Sequence, residues 1–396
     1  MFLNDQWYNL CHIFETGVVM RYKLTIPARI NVLGNPSDAN EGDFATITAA
    51  VDLRAGAFVE PAQELVLESL RPDGGGWTPE LAREFPRDHL PLPYDGALDL
   101  LKGAVNRLYR DSPEFRIKFA RCGVRISTWT DVPRQSGLGG SSLFVLLALA
   151  GLRAFYDLDR NKHNDYILSE LTQRVEAKEL GITCGFADRY VPLFGGIAYL
   201  DYRGKLHQRT IRQEPYATYE RLDGWVDDLP LVSISTGVVR DSGDVHGRMR
   251  PRYLQEHAEW SDTNSSAMPP MVRFMSNAWE TAWRGKIALL ERDWETFGKL
   301  MNQNHSLVND MMTYCGFNDG AGWANNLCIE TALKNGALGA KLTGAGGGGS
   351  VFALVRPGEE ANLMDVWRQT AKEAGLASAQ IYRPHISRQG LIVQVE

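Results

Sequence analysis

The stretch Pro133–Ser142, P-R-Q-S-G-L-G-G-S-S, is the feature that most constrains how this chain can fold. Three glycines within four positions let the backbone turn where a Cβ would clash, so successive N–H groups can point into one concavity. The run Leu143–Leu149 follows and is apolar on every side, which predicts a buried helix with Ser141 or Ser142 as its N-cap. Because the positive end of such a helix faces the glycines, the stretch predicts a site for phosphate and its accompanying metal. A glycine-rich turn that only precedes a core helix is the alternative.

The composition limits the chain to a globular protein of about two domains. Its 396 residues are 44% hydrophobic and 23% charged, and the formal net charge is -6. An acidic chain without a long basic run does not match a protein whose main partner is nucleic acid. The longest apolar stretch, 143–152, is too short to cross a bilayer, so we expect no membrane partner.

The five cysteines are scattered and form no C-x-x-C pair. This pattern argues against a disulfide framework and a structural zinc site, and it fits the reducing cytoplasm. Residues 1–20 lack the pattern of a secretory signal and are expected to form an extra strand or a loosely attached arm. The sequence leaves both a monomer and a homodimer open.

The predicted elements mix strands and helices without strict β-α-β alternation, which is typical of the α+β class. Strands are predicted at 21–32, 57–70, 123–129, 196–202, 230–236, 339–343 and 350–355, and helices at 98–110, 143–156, 164–180, 271–290, 294–311, 321–335 and 358–374. Residues 71–77 are expected to form a surface loop and residues 237–247 a polar turn. A change of composition near 208–228 predicts a boundary between two domains, 21–210 and 211–396, after the extension 1–20.

Three motifs occur in order along the chain: P-A-R-I-N-V-L-G-N-P-S-D at 27–38, P-R-Q-S-G-L-G-G-S-S at 133–142 and K-L-T-G-A-G-G-G-G-S at 341–350. Together they resemble the GHMP kinase superfamily, named for galactokinase, homoserine kinase, mevalonate kinase and phosphomevalonate kinase. The resemblance implies an N-terminal domain of the ribosomal-protein-S5-domain-2-like type with the nucleotide and catalytic residues. It also implies a ferredoxin-like α/β C-terminal domain that covers the substrate and carries the glycine-rich loop.

Within the superfamily, several segments are most similar to the glucuronokinases. They are L-G-N-P-S-D at 33–38, P-R-Q-S-G-L at 133–138, K-E-L-G-I at 178–182, A-D-R-Y-V-P-L-F-G-G at 187–196, D-S-G-D-V-H at 241–246 and L-M-N-Q-N-H at 300–305. The heptose-phosphate kinases share A-L-G-A-K-L-T-G-A-G-G-G-G at 337–349 about equally well, so the sugar stays open.

The resemblance implies a kinase that uses ATP and Mg²⁺ to phosphorylate the anomeric hydroxyl of glucuronic acid or a related sugar acid. A heptose-phosphate kinase is the nearest alternative. A non-catalytic sugar sensor and a decarboxylase acting on a diphosphorylated acid are alternatives from other functional classes.

The resemblance assigns catalysis to Asp188 and Arg29. Asp188 matches the catalytic aspartate of the superfamily, where a carboxylate accepts the proton of the attacking hydroxyl. Arg29 matches a position that is arginine in galactokinases and lysine in mevalonate kinases. Its charge would keep Asp188 ionised and stabilise the developing alkoxide.

The same resemblance implies the residues that hold nucleotide and metal. The nucleotide residues are Pro133, Gly137, Leu138, Gly139, Gly140, Ser141 and Ser142. Mg²⁺ prefers one or two protein oxygens beside phosphates and waters, and Ser141 with Glu176 would supply two. Glu179 is the alternative to Glu176.

Substrate contacts are predicted for Asn35, Asp38, Arg189, Asp241, Gly346 and Gly347. Asp38 matches an aspartate that binds sugar hydroxyls in galactokinases, and the loop Gly344–Gly349 is expected beneath the point of transfer, where only glycine can approach closely. Arginines that could hold a sugar carboxylate by a bidentate fork are Arg134, Arg189, Arg248 and Arg250. His246, with Asp241 and Ser242, is either a substrate group or part of a polar turn, and His305 is expected to be structural.

Overall fold

A computed structural model describes residues 20–205, 209–226, 228–239, 242–263 and 266–396. The unassigned N-terminal segment, up to residue 19, lies outside the described residues. In the described ranges the strands are β1 (Tyr22–Leu33), β2 (Ala45–Ala62), β3 (Leu65–Asp73), β4 (Gly76–Phe85), β5 (Gly123–Thr130), β6 (Ile197–Asp201), β7 (Thr218–Arg221), β8 (Leu231–Ser235), β9 (Gly339–Thr343), β10 (Ser350–Leu354), β11 (Gln380–Tyr382) and β12 (Ile392–Val395).

The α-helices in the same ranges are α1 (Asp99–Asp111), α2 (Pro113–Phe119), α3 (Gly140–Phe155), α4 (Asp165–Arg174), α5 (Ala187–Phe194), α6 (Ser242–Ser261), α7 (Pro270–Glu291), α8 (Trp294–Tyr314), α9 (Trp323–Lys334) and α10 (Glu360–Glu373). A 3-10 turn spans Ser37–Ala39, and a π-helical turn spans Val175–Glu179. Among the described residues, no helix combines the length and apolar character needed to span a bilayer.

The first sheet has the strand order β12-β1-β2-β5-β3-β4, with β6 and then β7 attached to β2. The long strand β2 pairs with β1 over most of its length, with β6 through its first residues and with β5 through its last. The register between β1 and β2 shifts between Pro27 and Ala28, where the proline donates no ladder hydrogen bond.

Helix α3 lies within the apolar core that packs against the first sheet, which confirms the predicted buried helix. Every residue of Val145–Leu149 is fully buried, and the helix packs on β1, β2 and α1. The predicted serine cap is wrong, because Gly139 is the N-cap residue and no side chain caps the helix. Its φ of 81° is a conformation that glycine adopts without strain, so the chain enters the helix through a backbone turn.

The second sheet is antiparallel, with the order β11-β8-β10-β9. Helices α9 and α10 cover one side of it with an apolar cluster that includes Trp367. Two strands from the second half of the chain instead extend the first sheet, since β7 pairs with β6 and β12 pairs with β1. The boundary near residue 210 stays a prediction.

Four local predictions differ from the structure. The strand predicted over 57–70 is divided, because β2 ends at Ala62 and β3 begins at Leu65. In the expected loop at 71–77 only Gly74 and Gly75, both with positive φ, form the turn of the β3–β4 hairpin, and the other residues belong to its strands. The expected polar turn at 237–247 becomes helical from Ser242 onwards. The helix predicted over 164–180 is α-helical only to Arg174, after which a π-helical turn follows. π-Turns of this kind often occur at functional sites.

Candidate active site

One large cleft, with a volume of about 1160 Å³, collects segments that are far apart in the sequence. Among the segments that meet there are the turn 35–38, the loop 133–141, the stretch 181–189, the first turns of α6 and the loop 343–348. All three sequence motifs therefore reach the same cavity. We call this cavity the main cleft.

Arg29 and Asp188 form a partly buried ion pair in the main cleft. Arg29 lies on β1 and Asp188 in the first turn of α5. Both contacts fall on Oδ1 of Asp188, at 2.6 Å from Nε and 2.5 Å from Nη2. Burial by itself would raise the pKa of Asp188, but the positive charges of Arg29 and Arg189 outweigh it and hold that pKa below the ordinary value. Asp188 is therefore an ionised carboxylate facing the cleft.

The third contact of Arg29 links the ion pair to the glycine-rich stretch. Its Nη1 donates to the carbonyl oxygen of Gly137, and its backbone N–H donates to the carbonyl of Leu138 at 3.2 Å. One guanidinium thus bonds both the carboxylate and the loop before α3. Arg29 therefore holds the aspartate close to the start of that helix.

The residues assigned to the nucleotide divide into two groups. Those that line the main cleft are Pro133, Gly137, Gly139, Gly140 and Ser141. Leu138 and Ser142 do not line it, because both side chains are buried in the protein. The first N–H groups of α3 have no intrahelical acceptors, as at the start of any helix, and they adjoin the cleft at Gly140 and Ser141. Such a start favours a bound anion.

The two glycine-rich loops touch backbone to backbone. Gly137 has a φ of +72°, and a Cβ on it would lie 2.6 Å from the carbonyl oxygen of Thr343. A Cβ on Gly344 would lie 2.8 Å from Cα of Gly137. Gly346 lines the cleft, whereas Gly347 is not among its lining residues and donates its N–H to Ala321. The glycines of the third motif are therefore needed for loop contact as well as for the cavity wall.

Gly137→Ala is expected to lower the free energy of unfolding by about 1–3 kcal/mol, because the added methyl group is strained at positive φ and forces the loops apart. Urea denaturation measures the change. Gly74→Ala is the matched control, since Gly74 also has positive φ but has no atom of the described residues within 4 Å of the added Cβ. Equal losses in the two variants would contradict a close contact between the loops.

Glu176 lies in the π-helical turn and accepts bonds from both serines of the motif. Its Oε1 accepts from Ser141 Oγ at 2.8 Å, and its Oε2 accepts from Ser142 Oγ at 2.9 Å and from the Arg189 guanidinium. The serines that were expected to cap α3 therefore bind this carboxylate instead. Sequence reasoning placed Ser141 and Glu176 together only through family resemblance.

The pair Ser141 and Glu176 fits a magnesium ion that is held mainly by phosphates. A hydroxyl and a carboxylate oxygen, 2.8 Å apart, adjoin the cleft beside the start of α3. The described residues contain no group of three or more His, Cys, Asp or Glu side chains arranged to bind a metal. Glu179 is placed elsewhere, with its carboxylate 2.8 Å from Arg107 and 2.5 Å from Arg110. Glu176 lines the main cleft, whereas Glu179 does not.

The residues assigned to substrate are partly occupied by protein contacts. Oδ2 of Asp38 accepts the backbone N–H groups of Phe186 and Ala187, both at 3.1 Å, and so stabilises the start of α5. Burial, together with the charge of Asp188, raises the pKa of Asp38. Arg189 is buried and donates to Glu176 and to the carbonyl of Gly185. Its guanidinium therefore holds Glu176, although Arg189 also lines the cleft. Asp241 lies outside the described residues.

Asn35 is held by a lysine to which sequence reasoning gave no role. The ammonium of Lys341 is fully buried and donates to Asn35 Oδ1 at 2.7 Å, to Asn31 O at 3.0 Å and to Leu342 O at 2.8 Å. Burial, together with the charge of Arg29, lowers the pKa of Lys341. The lysine joins β9 of the second sheet to β1 of the first. Its only sequence signal was its position as the first residue of the third motif.

Part of the wall of the main cleft is apolar, and we call this part the apolar end. Its residues are Leu70, Leu100, Trp129 and Phe144, and Trp129 stacks on Trp77 with 4.7 Å between ring centroids. A smaller cavity of about 710 Å³ shares Leu100, Ser141 and Phe144 with the cleft. A flat aromatic group fits such a wall. The sequence gave no periodic signal for this surface, because its members come from separate strands and helices.

Comparison with known proteins places the chain in a family. The profile described as "GHMP kinases N terminal domain" matches residues 99–196, and "GHMP kinases C terminal" matches residues 325–373. The chain is 31% identical over 352 residues to a protein named "Probable glucuronokinase 2" from Arabidopsis thaliana, covering 87% of both chains. It is 23% identical to D-glycero-alpha-D-manno-heptose 7-phosphate kinase from Campylobacter jejuni, covering 87% of this chain and 92% of the other.

A solved structure supports the same fold. Galactokinase from Lactococcus lactis, complexed with galactose, matches with a TM-score of 0.72 and 19% identity, covering 99% of this chain and 100% of the other. The predicted two-domain α+β fold is thereby confirmed. The chain belongs to the GHMP kinase family and is a phosphotransferase with an alcohol group as acceptor.

Proposed function

We propose that this protein is an ATP- and Mg²⁺-dependent sugar kinase whose acceptor is the anomeric hydroxyl of glucuronic acid or a related sugar acid. The product would be a sugar 1-phosphate. The observation that carries the proposal is the guanidinium of Arg29, which bonds both Asp188 and the loop that begins α3. A carboxylate and a phosphate-binding helix start are thereby joined by one side chain.

In this proposal, ATP lies along the main cleft. The adenine base occupies the apolar end beside Trp129 and Phe144, and the phosphates follow the backbone from Gly137 to Ser141. The loop carries no lysine, so backbone N–H groups and the helix start provide the interaction with phosphate. Ser141 and Glu176 would hold Mg²⁺, which offsets negative charge on the phosphates when it is bound.

Asp188 acts on the acceptor. Its carboxylate takes the proton of the sugar hydroxyl as the hydroxyl oxygen forms a bond to the γ-phosphorus and the bond to the β-phosphate oxygen breaks. ADP leaves with that oxygen, and the proton on Asp188 passes to solvent. Arg29 keeps Asp188 ionised before the reaction and stabilises the negative charge that develops on the attacking oxygen.

The choice of a sugar acid rests on the two glucuronokinases among the relatives, each 31% identical to this chain. A heptose phosphate is the competing acceptor because of the relative from Campylobacter jejuni. A non-catalytic sensor is disfavoured because the Arg29–Asp188 pair and the serine–glutamate pair are both present.

A coupled assay of ADP release across an acceptor panel tests this function. The panel contains glucuronic acid, galacturonic acid, galactose, glucose, heptose 1-phosphate and heptose 7-phosphate. We expect glucuronic acid to have the highest kcat/KM, and phosphorus–carbon couplings in the NMR spectrum of the product to place the phosphate on carbon 1. Turnover of the heptose phosphates alone would favour the alternative, and the absence of turnover with every acceptor would refute a sugar kinase.

A further inference from the structure

His246 is a polar side chain in the main cleft that the proposed mechanism does not use. It lies in the second turn of α6 and lines the cleft together with Gly243 from the same helix. Its Nδ1 atom is buried and has no hydrogen-bond partner among the described residues. A buried ring nitrogen without a partner costs free energy unless a ligand or water supplies one.

His246 lies near the charged groups of the candidate catalytic centre and lines the same cleft. The charges that act on it are those of Asp188, Arg29 and Arg189, which belong to the candidate catalytic centre. Burial, opposed only in part by Asp188, lowers the pKa of His246 to about 4. The imidazole is therefore neutral near pH 7, with one nitrogen that donates a hydrogen bond and one that accepts.

Nearby charged side chains of the same helix already have partners. Arg248 bonds Asp244 at 2.9 Å, and Arg250 bonds Glu41 at 2.9 Å. Both arginines were candidates for holding a sugar carboxylate, but protein carboxylates occupy them. His246 thus lines the cleft and has a ring nitrogen without a hydrogen-bond partner among the described residues.

We infer that His246 binds a hydroxyl of the acceptor sugar other than the one that is phosphorylated, and thereby selects the sugar by the configuration at that carbon. This inference rests on the proposed sugar kinase function. Asp188 engages the reacting hydroxyl, so a second fixed contact is needed to orient the ring, and one hydrogen bond cannot fix it. A neutral imidazole can make that contact either as a hydrogen-bond donor or as an acceptor. A site built to bond a hydroxyl also rejects an analogue without it.

The test measures acceptor selectivity with the full-length enzyme. Wild type, His246→Ala, His246→Asn and His246→Gln are assayed with the best acceptor and with its single deoxy analogues. In His246→Ala we expect kcat/KM for the acceptor to fall about 5- to 100-fold, the range for a buried polar group that loses its partner, while KM for ATP stays within twofold.

The decisive result is that His246→Ala no longer discriminates between the parent sugar and one of its deoxy analogues. Wild type should disfavour one deoxy analogue by about 5- to 100-fold, whereas His246→Ala should treat that analogue and the parent sugar alike. An amide in His246→Asn or His246→Gln should restore part of the discrimination. A packing role alone would lower activity toward all acceptors equally and leave the ratios unchanged.

His305→Asn is the matched control. Its ring nitrogen Nδ1 is also buried without a hydrogen-bond partner among the described residues, and burial also lowers its pKa to about 4, but His305 does not line the main cleft. This variant should keep the wild-type ratios. Unchanged ratios in His246→Ala would overturn the inference while leaving the kinase function intact. Absence of sugar turnover by the wild type would refute the function and, with it, the inference.

Discussion

Asp188→Asn is expected to lower kcat by about 10²- to 10⁴-fold, the usual contribution of a positioned general base. Asparagine keeps the shape of the side chain but cannot accept a proton at pH 7. Binding of ATP should change little, because the start of α3 and the apolar end of the cleft are untouched. Steady-state assays measure the loss of kcat, and titration calorimetry with ATP measures the retained affinity.

The exposed Asp365, on α10, provides the control for this substitution. Asp365→Asn should have wild-type kcat. If Asp188→Asn keeps more than a tenth of the activity, Asp188 does not act as the base. If it loses ATP binding as well, the substitution has disturbed the loop through Arg29.

The ion pair also predicts how stability and kcat/KM depend on pH through the protonation of Asp188. Its pKa in the folded protein is held below the unfolded value of 3.8. The stabilisation is therefore fully present above pH 3.8 and is lost as pH falls through the folded pKa. Protonation of Asp188 should consequently cause no loss of kcat/KM between pH 8 and pH 5, which a pH–rate profile checks.

Arg189→Met is expected to lower the free energy of unfolding by about 3–5 kcal/mol, because it leaves the carboxylate of Glu176 buried without its positive partner. Arg189 and Glu176 are both buried, and the guanidinium also donates to Gly185 O. Urea denaturation measures the loss. Removing the glutamate charge as well, in Arg189→Met with Glu176→Gln, should recover part of it, since an unpaired buried charge is the main cost.

Arg203→Met is the matched control, because Arg203 is 74% exposed and pairs with Asp201 at the surface. Exposed pairs contribute about 0–1 kcal/mol. Measuring the acceptor KM together with the free energy of unfolding also distinguishes a structural role of Arg189 from a role in sugar binding. A side chain that only held the sugar would raise KM for the acceptor and leave the free energy of unfolding near the wild-type value. That outcome would contradict a structural role.

The family and the candidate catalytic residues followed from the sequence because their signals are local. Glycines at Gly137 and Gly139 mark backbone turns, and the run Leu143–Leu149 marks a buried helix whatever surrounds it. Asp188 and Arg29 were placed by their positions within motifs, and the structure brings them within 2.6 Å. The roles of these residues in catalysis stay predictions until the variants are measured.

Contacts between distant segments depended on the tertiary structure. Ser141 and Ser142 look like helix caps from their neighbours, yet both donate to Glu176, more than 30 residues away. A hydroxyl bonds whichever acceptor the packing brings closest, and local propensity contains no information on that choice.

The sequence by itself thus determined the fold class, the loop before α3 and the residue types needed for phosphoryl transfer. Only the tertiary structure decided that Arg189 holds Glu176, that Lys341 joins the two sheets through Asn31, and that His246 lines the cleft. The physical reason is that periodicity and turn chemistry act over a few residues. Whether a buried polar group has a hydrogen-bond partner, in contrast, depends on contacts between distant segments of the folded protein.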